Sequence, residues 1–309
     1  MPQKDGTILV IGGVNVDISG TSFTPIVSGD SNPGYVTVTM GGVGRNIAEN
    51  LCRLGASVKM ITALGEDANA QQMRANCRQV GIDLSHSLTV AGGRTSTYLC
   101  LNDSDGEIAV AVSDMSIYDE LTPEFLQTKL DVINEAALVI LDGNLSKEAI
   151  DFLAENCTAP MAADPVSSKK AEKMKDAQGR FVFMKPNRME ASLLTGLNVT
   201  ADMTDLVQAA SAFFMKGMRY VIVSLGRHGV YYNDGDKTGI LPNMTDHVVN
   251  TTGCGDAFMA AAALGFVQGK SLYEMARMGL AASAVCSRSN SAVNPEISYS
   301  EIMKVLEEE

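Results

Sequence analysis

Thr7-Ile8-Leu9-Val10-Ile11-Gly12-Gly13 is a continuous apolar run that stops at two glycines. A strand with one face in water alternates apolar and polar residues, whereas a run without alternation is buried on both faces, as in a parallel sheet sandwiched between helices. The pattern continues downstream. Ile47, Leu51 and Leu54 share one helical face ahead of Gly55, and the spacing predicts strands over 58–63, 138–141, 161–164, 181–185 and 220–224, with helices near 70–80 and over 147–156. Strands and helices alternating through short connections predict an α/β fold, a three-layer Rossmann-like core around a mostly parallel sheet.

Two stretches break the alternation. Tyr35-Val36-Thr37-Val38-Thr39-Met40 is rich in β-branched residues, and 95–112 reads as two strands around the turn Asp103-Ser104-Asp105-Gly106. These segments, about 14–40 and 94–114, are expected to form a small β-sheet too thin to fold alone, a lid over the pocket of one domain spanning 1–309. Pairing with a second copy's lid would make a homodimer.

Composition sets the outer limits. With 46% hydrophobic residues and only 9 prolines, the chain can bury a full core. A net charge of -12 argues against a nucleic-acid surface, which needs Lys and Arg to neutralise phosphates. No apolar run has the length of a membrane span, and Met1-Pro2-Gln3-Lys4-Asp5-Gly6 lacks the basic-then-apolar order of a leader, so a cytoplasmic location is expected. The N-x-S/T triplets starting at Asn144, Asn198, Asn243 and Asn250 are then chance matches. Six scattered cysteines without a C-x-x-C pair, and three histidines, do not make a structural zinc pattern.

Polar residues collect where the predicted strands end. Asn15 and Asp17 follow the first strand, Asp142 and Asn144 the strand at 138–141, Asp164 the next, and Lys185 and Asn187 the one after. In open α/β sheets ligands lie in the crevice beyond those ends. Gly41-Gly42-Val43-Gly44-Arg45-Asn46 lets backbone approach a ligand closely, with Asn46 on the first helical turn able to bond a sugar hydroxyl; it lacks the third glycine of a dinucleotide fingerprint. Asn187 and Glu190 stand one turn apart, spaced either to reach phosphate oxygens and a metal-bound water or to cap a helix. Leu225-Gly226-Arg227-His228-Gly229 is either open backbone under a nucleotide or a plain β-turn. Gly265-Phe266-Val267-Gln268-Gly269-Lys270-Ser271 mimics a phosphate loop but follows a helix, where such a loop follows a strand.

Val249-Asn250-Thr251-Thr252-Gly253-Cys254-Gly255-Asp256-Ala257-Phe258 precedes a long apolar run. The N–H groups of Gly253, Cys254 and Gly255 would be free donors at a positive helix end, suited to a phosphate in transfer. Asp256 beside them either accepts a proton from an attacking hydroxyl or caps the helix.

The glycine motif at 41–46, Asn187 to Glu190, and Thr252-Gly253-Cys254-Gly255-Asp256 together resemble the ribokinase-like (PfkB) family of carbohydrate and nucleoside kinases. The resemblance implies ATP-dependent phosphorylation of a sugar hydroxymethyl group on a Rossmann-like core with a β-sheet lid. By the same resemblance Asp256 is the catalytic base and Gly253, Cys254 and Gly255 form the anion hole, while Asn15, Asp17, Gly42, Asn46 and Asn144 hold the sugar. Asn187, Ser224, Gly226, Gly229 and Asn294 meet the nucleotide, Glu190 holds Mg²⁺ through water, and Asn250 and Thr252 fall where members bind K⁺, although Asn250 replaces a common aspartate. Three narrower details, Asp30-Ser31-Asn32-Pro33-Gly34, Arg45 and Ser113-Asp114-Met115, resemble the branch that phosphorylates pseudouridine. They place Asn32, Arg45 and Asp114 among the substrate contacts, with Asn32 offering a donor and an acceptor to a uracil edge. The alternatives are another sugar or nucleoside kinase of ribokinase, fructokinase or adenosine/inosine kinase type, and a non-catalytic nucleoside-binding protein.

Overall fold

The computed structural model describes residues 6–245 and 247–308. Residues 1–5, which carry most of the stretch read for a leader, and Glu309 lie outside the described residues. The strands in chain order are β1 (Ile8–Ile11), β2 (Asn15–Ser22), β3 (Gly34–Gly41), β4 (Val58–Ile61), β5 (Ala63–Leu64), β6 (Leu88–Thr89) and β7 (Thr97–Asn102). They continue as β8 (Ile108–Asp114), β9 (Leu138–Asp142), β10 (Met161–Asp164), β11 (Phe181–Met184), β12 (Tyr220–Ser224), β13 (Val230–Asn233) and β14 (Thr238–Leu241).

Eight of them form one sheet in the order β14-β13-β12-β11-β10-β9-β1-β4. Pairing is parallel from β12 to β4, and β13 and β14 add an antiparallel edge. The unbroken apolar run of β1 now has its cause: Ile8 and Val10 enter one core cluster, Leu9 and Ile11 the other. The first cluster packs against helices Val43–Arg53, Cys254–Val267 and Leu272–Ser287. The second packs against Lys147–Asn156, Arg188–Thr195 and Met203–Met215. Helix Cys254–Val267 is buried from Asp256 to Gly265, so it is apolar on every side rather than amphipathic.

Two of the boundaries that differ from expectation bear on how the chain turns toward the small sheet. The strand expected over 58–63 ends at Ile61, and β5 leaves the main sheet to pair with β6. The next helix starts at Ala68 because Asp67 caps it, its carboxylate accepting the Ala70 N–H at 2.8 Å.

The second sheet runs β3-β2-β7-β8. Its register aligns Val38, Ile18, Leu99 and Val112 in one row and Val36, Gly20, Leu101 and Val110 in the next. The opposite face carries Thr39, Asp17, Tyr98 and Ser113. Alternation along each strand thus makes one apolar face and one polar face, and the polar one looks toward the main sheet's strand ends, where Asp17 and Tyr98 line a cavity. Among the described residues no helix is long and apolar enough to cross a membrane.

Candidate functional site

The cavity, about 430 Å³, lies beyond the C-terminal ends of β1 and β9–β12, under the polar face of the small sheet and against the start of helix Cys254–Val267. Asp142, fully buried at the end of β9, ties together the loops that line it. One carboxylate oxygen accepts the N–H groups of Gly13 and Gly44, each at 2.8 Å, and the other accepts that of Asn144 at 2.8 Å. A Cβ on Gly44 would stand 2.8 Å from Asp142 Oδ2, and one on Gly42, whose φ is 98°, 2.6 Å from the Gly13 carbonyl oxygen. The glycine motif is therefore required by two loops that touch, and this close approach leaves Gly42 backbone bare at the cavity wall.

At one end of the cavity stand Asn15, Asp17, Gly42, Asn46, Tyr98, Met115, Asn144 and Lys170. Asn15 donates to Asp17 and accepts from Ser96 Oγ at 3.0 Å. Burial pushes the Asp17 carboxyl up, against the Asn15 hydrogen bond and the Arg45 charge. Lys170 donates to Asn144 Oδ1 at 2.6 Å, and burial pulls its ammonium down. Sequence reasoning missed Lys170, since nothing in Ser167-Ser168-Lys169-Lys170 distinguishes it from exposed Lys169.

At the other end stand Asp164, Lys185, Asn187, Glu190, Ser224 and Thr252. Asn187 and Glu190 form a complete capping box: Asn187 Oδ1 accepts the Glu190 N–H at 3.0 Å, and Glu190 Oε2 accepts the Asn187 N–H at 2.9 Å. The capping alternative is the one the geometry shows, and the box fixes both side chains at the cavity wall. Val166, beside Asp164, has φ 68°, a left-handed conformation that a β-branched residue adopts only under constraint from its surroundings. The Asp164 carboxylate holds the strained turn by accepting the Val166 N–H at 2.9 Å.

Asp256 sits where the two ends meet. It is buried, and its Oδ2 accepts from Asn46 Nδ2 at 2.8 Å. Burial pushes its carboxyl up to about 8; the Asp164 carboxylate adds to that, and the Asn46 hydrogen bond and Lys185 oppose it. Lys185 is buried too, 3.3 Å from Asp164 Oδ2. Burial alone would lower its ammonium, but Asp164, Asp256 and Glu190 hold it raised and charged. The ammonium also explains Gly255, whose Cβ would stand 3.2 Å from Nζ. Gly253 caps the helix with φ 80°, and a Cβ there would collide with the Ala292 carbonyl. The N–H groups of Gly253, Gly255 and Asp256 have no hydrogen-bond partner among the described residues and open toward the cavity end that Lys185 neutralises.

Several expected contacts are elsewhere. The Cys254 N–H donates to Thr251 O at 3.2 Å, and its thiol donates to Ser283 O at 3.5 Å between two helices, so Cys254 is packing rather than anion hole. Asn32 is half-buried, its amide closed on its own loop by bonds to Val27 and Asp30, and it does not line the cavity. The Arg45 guanidinium turns away toward Glu49, Asn76 and Met40 O. Asp114 lies exposed on the edge strand β8, accepting from Ser116 Oγ at 3.2 Å. Gly226 opens a 3-10 turn, Gly226–His228, between β12 and β13, and Gly229 closes it, pressed on the Leu241 carbonyl. Asn294 is buried, donating to Val285 O at 2.7 Å and accepting from Glu296 N at 3.0 Å. Asn250 accepts the Thr252 N–H at 2.9 Å and donates to Asn290 O at 3.1 Å, so of that pair only Thr252 lines the cavity.

A crevice at strand ends, a bare helix start and a buried carboxylate thus meet in one cavity, on a ribokinase-like fold. The chain belongs to the pfkB family of carbohydrate kinases, whose model matches residues 5–298, and it is accordingly a phosphotransferase with an alcohol group as acceptor. It is 35% identical to a pseudouridine kinase from Escherichia coli strain K12, over 99% of this chain and 98% of that one. A solved carbohydrate kinase from Agrobacterium tumefaciens superposes with a TM-score of 0.87 at 29% identity, covering 98% of this chain and 97% of that one. Arabidopsis thaliana ribokinase complexed with ribose and ATP shares the fold at a TM-score of 0.85 and 24% identity, covering 97% of this chain and 98% of its own.

Proposed function

We propose that this protein transfers the γ-phosphoryl group of ATP to the 5′-hydroxyl of pseudouridine, giving pseudouridine 5′-phosphate and ADP. The observation that carries the reading is Asp256, buried and held by Asn46 beside the unpaired N–H groups of Gly253 and Gly255. Asp256 takes the hydroxyl proton as the hydroxyl oxygen attacks the γ-phosphorus and the bond to the bridging oxygen breaks. Those N–H groups and Lys185 meet the charge on the transferring oxygens. Asn15, Asp17 and Asn46 orient the ribose, while Asn187 and Ser224 face the nucleotide. The Asp256 carboxyl, pushed up to about 8, accepts that proton in its ionised form, which makes it a stronger base than an ordinary carboxylate but a minority species at neutral pH.

Mg²⁺ fits only as a water-mediated ion, because the described residues hold no group of three or more His, Cys, Asp or Glu side chains able to bind a metal. Glu190, with one oxygen spent on the Asn187 N–H, would hold its water shell. When bound, the ion neutralises the phosphate oxygens during transfer. No step is assigned to K⁺ at Asn250 and Thr252, where Asn250 is neutral and its oxygen accepts the Thr252 N–H.

The relative named pseudouridine kinase supports the choice of substrate. Another sugar or nucleoside kinase is the second reading, favoured by Asn32, whose amide is occupied within its own loop. Turnover with ATP and Mg²⁺ on pseudouridine, uridine, adenosine, ribose and fructose decides between them; preference for any other member sinks the pseudouridine assignment.

The protein works as a homodimer joined through the small sheet, which closes over the substrate as a lid. Support comes from the apolar outer rows, with Val36 69%, Val112 60% and Val110 52% exposed, a surface that a lone copy would leave in water.

A further inference from the structure

We infer that Arg45 is a positioning residue for catalysis, acting on Asp256 through Asn46 although it does not touch the cavity. The inference rests on Asp256 being the base but not on which alcohol is phosphorylated.

A carboxamide can present either its oxygen or its NH₂ group to a neighbour, and only the NH₂ group suits a carboxylate. Asn46 gives its NH₂ to Asp256 Oδ2 at 2.8 Å, which leaves its oxygen pointing the other way. There Arg45 Nη1 donates to Asn46 Oδ1 at 3.3 Å. A guanidinium has donors only, so a flipped amide would set NH₂ against N–H on one side and oxygen against carboxylate on the other. Arg45 therefore selects the one orientation of Asn46 that serves Asp256.

The arginine is itself held from several directions. Nη1 also donates to Met40 O at 3.0 Å, near the end of β3, and Nη2 to Asn76 Oδ1 at 2.7 Å on helix Ala68–Val80. Glu49, one turn along, forms a buried ion pair with Arg45 and accepts from Arg53 Nε at 2.8 Å. Simple packing would not need a buried charge, which is expensive to desolvate unless matched. Here the match is made by Glu49, and Nη1 reaches both Met40 O in β3 and Asn46 Oδ1, while Nε has no hydrogen-bond partner among the described residues. Arg45 thus connects the strand that carries the lid to the amide that supports the base.

A double-mutant cycle tests this on whichever alcohol the wild-type enzyme turns over fastest. Arg45→Met is expected to lower kcat by about tenfold or more and to raise the KM for the alcohol, with the KM for ATP unchanged. In an Asn46→Ala background the same substitution is expected to lower kcat by less than about twofold, since the amide it orients is gone. Equal losses in both backgrounds, or a rise in the KM for ATP alone, would overturn the inference and leave Arg45 as a structural staple. If Arg45→Met fails to fold, Arg45→Lys carries the cycle: it keeps the charge against Glu49, but one ammonium cannot supply the fork that reaches Met40, Asn76 and Asn46 together.

Discussion

Asn46 and Asp256 meet at 2.8 Å across 210 positions of sequence. The contact joins the first helix of the chain to the start of helix Cys254–Val267, two helices that pack on the same face of the main sheet. It also sets the electrostatic balance of the proposed base, since its hydrogen bond is the first of the two influences that lower a carboxyl raised by burial.

Asp256→Asn removes the proton acceptor while keeping shape. Turnover should fall about 10²–10⁴-fold with ATP affinity retained, measured by steady-state kinetics and by calorimetric titration of nucleotide. Near-normal turnover would remove Asp256 from the mechanism.

The raised carboxyl gives two dependences on pH. Activity requires Asp256 ionised, so kcat/KM should rise with pH, reach half its limit near 8 and level off above that. Stability runs the other way. Between the ordinary carboxylate range and about 8 the folded protein holds this proton and the unfolded chain does not, so the folded state binds more protons and loses stability as pH rises through that window. Asp256→Asn removes the penalty, and its gain in Tm over wild type should be larger at about pH 9 than at about pH 5. A gain independent of pH would refute the assignment of the raised group.

Glu190→Gln separates the two roles of the capping box. Glutamine can still accept the Asn187 N–H, so thermal stability should change by less than about 0.5 kcal/mol. The Mg²⁺ concentration for half-maximal turnover should rise roughly tenfold, because the neutral amide binds the ion's water shell less strongly. Lost stability with an unchanged Mg²⁺ requirement would leave Glu190 a cap only.

Val110→Lys puts a charge into the exposed apolar row of Val36, Leu101 and Val110. Light scattering should show a shift from dimer to monomer, with little change in the fold of the exposed strand itself. A wild-type protein that is already monomeric at micromolar concentration would end the lid-dimer proposal.

Much of the architecture was legible because its signals are local. The run Ile8 to Ile11 feeds both core clusters, and only a strand covered on both faces needs apolar residues at every position. Short connections then left a parallel layered sheet as the consistent topology, and strand-end polar residues marked the crevice. Asn15, Asp17, Asn46, Asn144, Asn187, Glu190 and Asp256 do line one cavity.

What only the tertiary structure decided is where side chains with several choices point. Asn32 and Arg45 carry hydrogen-bonding groups suited to a substrate, yet each is taken up by nearer protein partners, and a linear pattern does not rank those partners. Lys170 was invisible because its value comes from Asn144, 26 positions away and brought alongside by folding. Even the glycines of the first loop owe their necessity to Asp142, a carboxylate on another strand that their backbone N–H groups and missing Cβ atoms must accommodate. Periodicity reports burial along one chain segment; the contacts that orient a polar group depend on segments that come together only in the folded state.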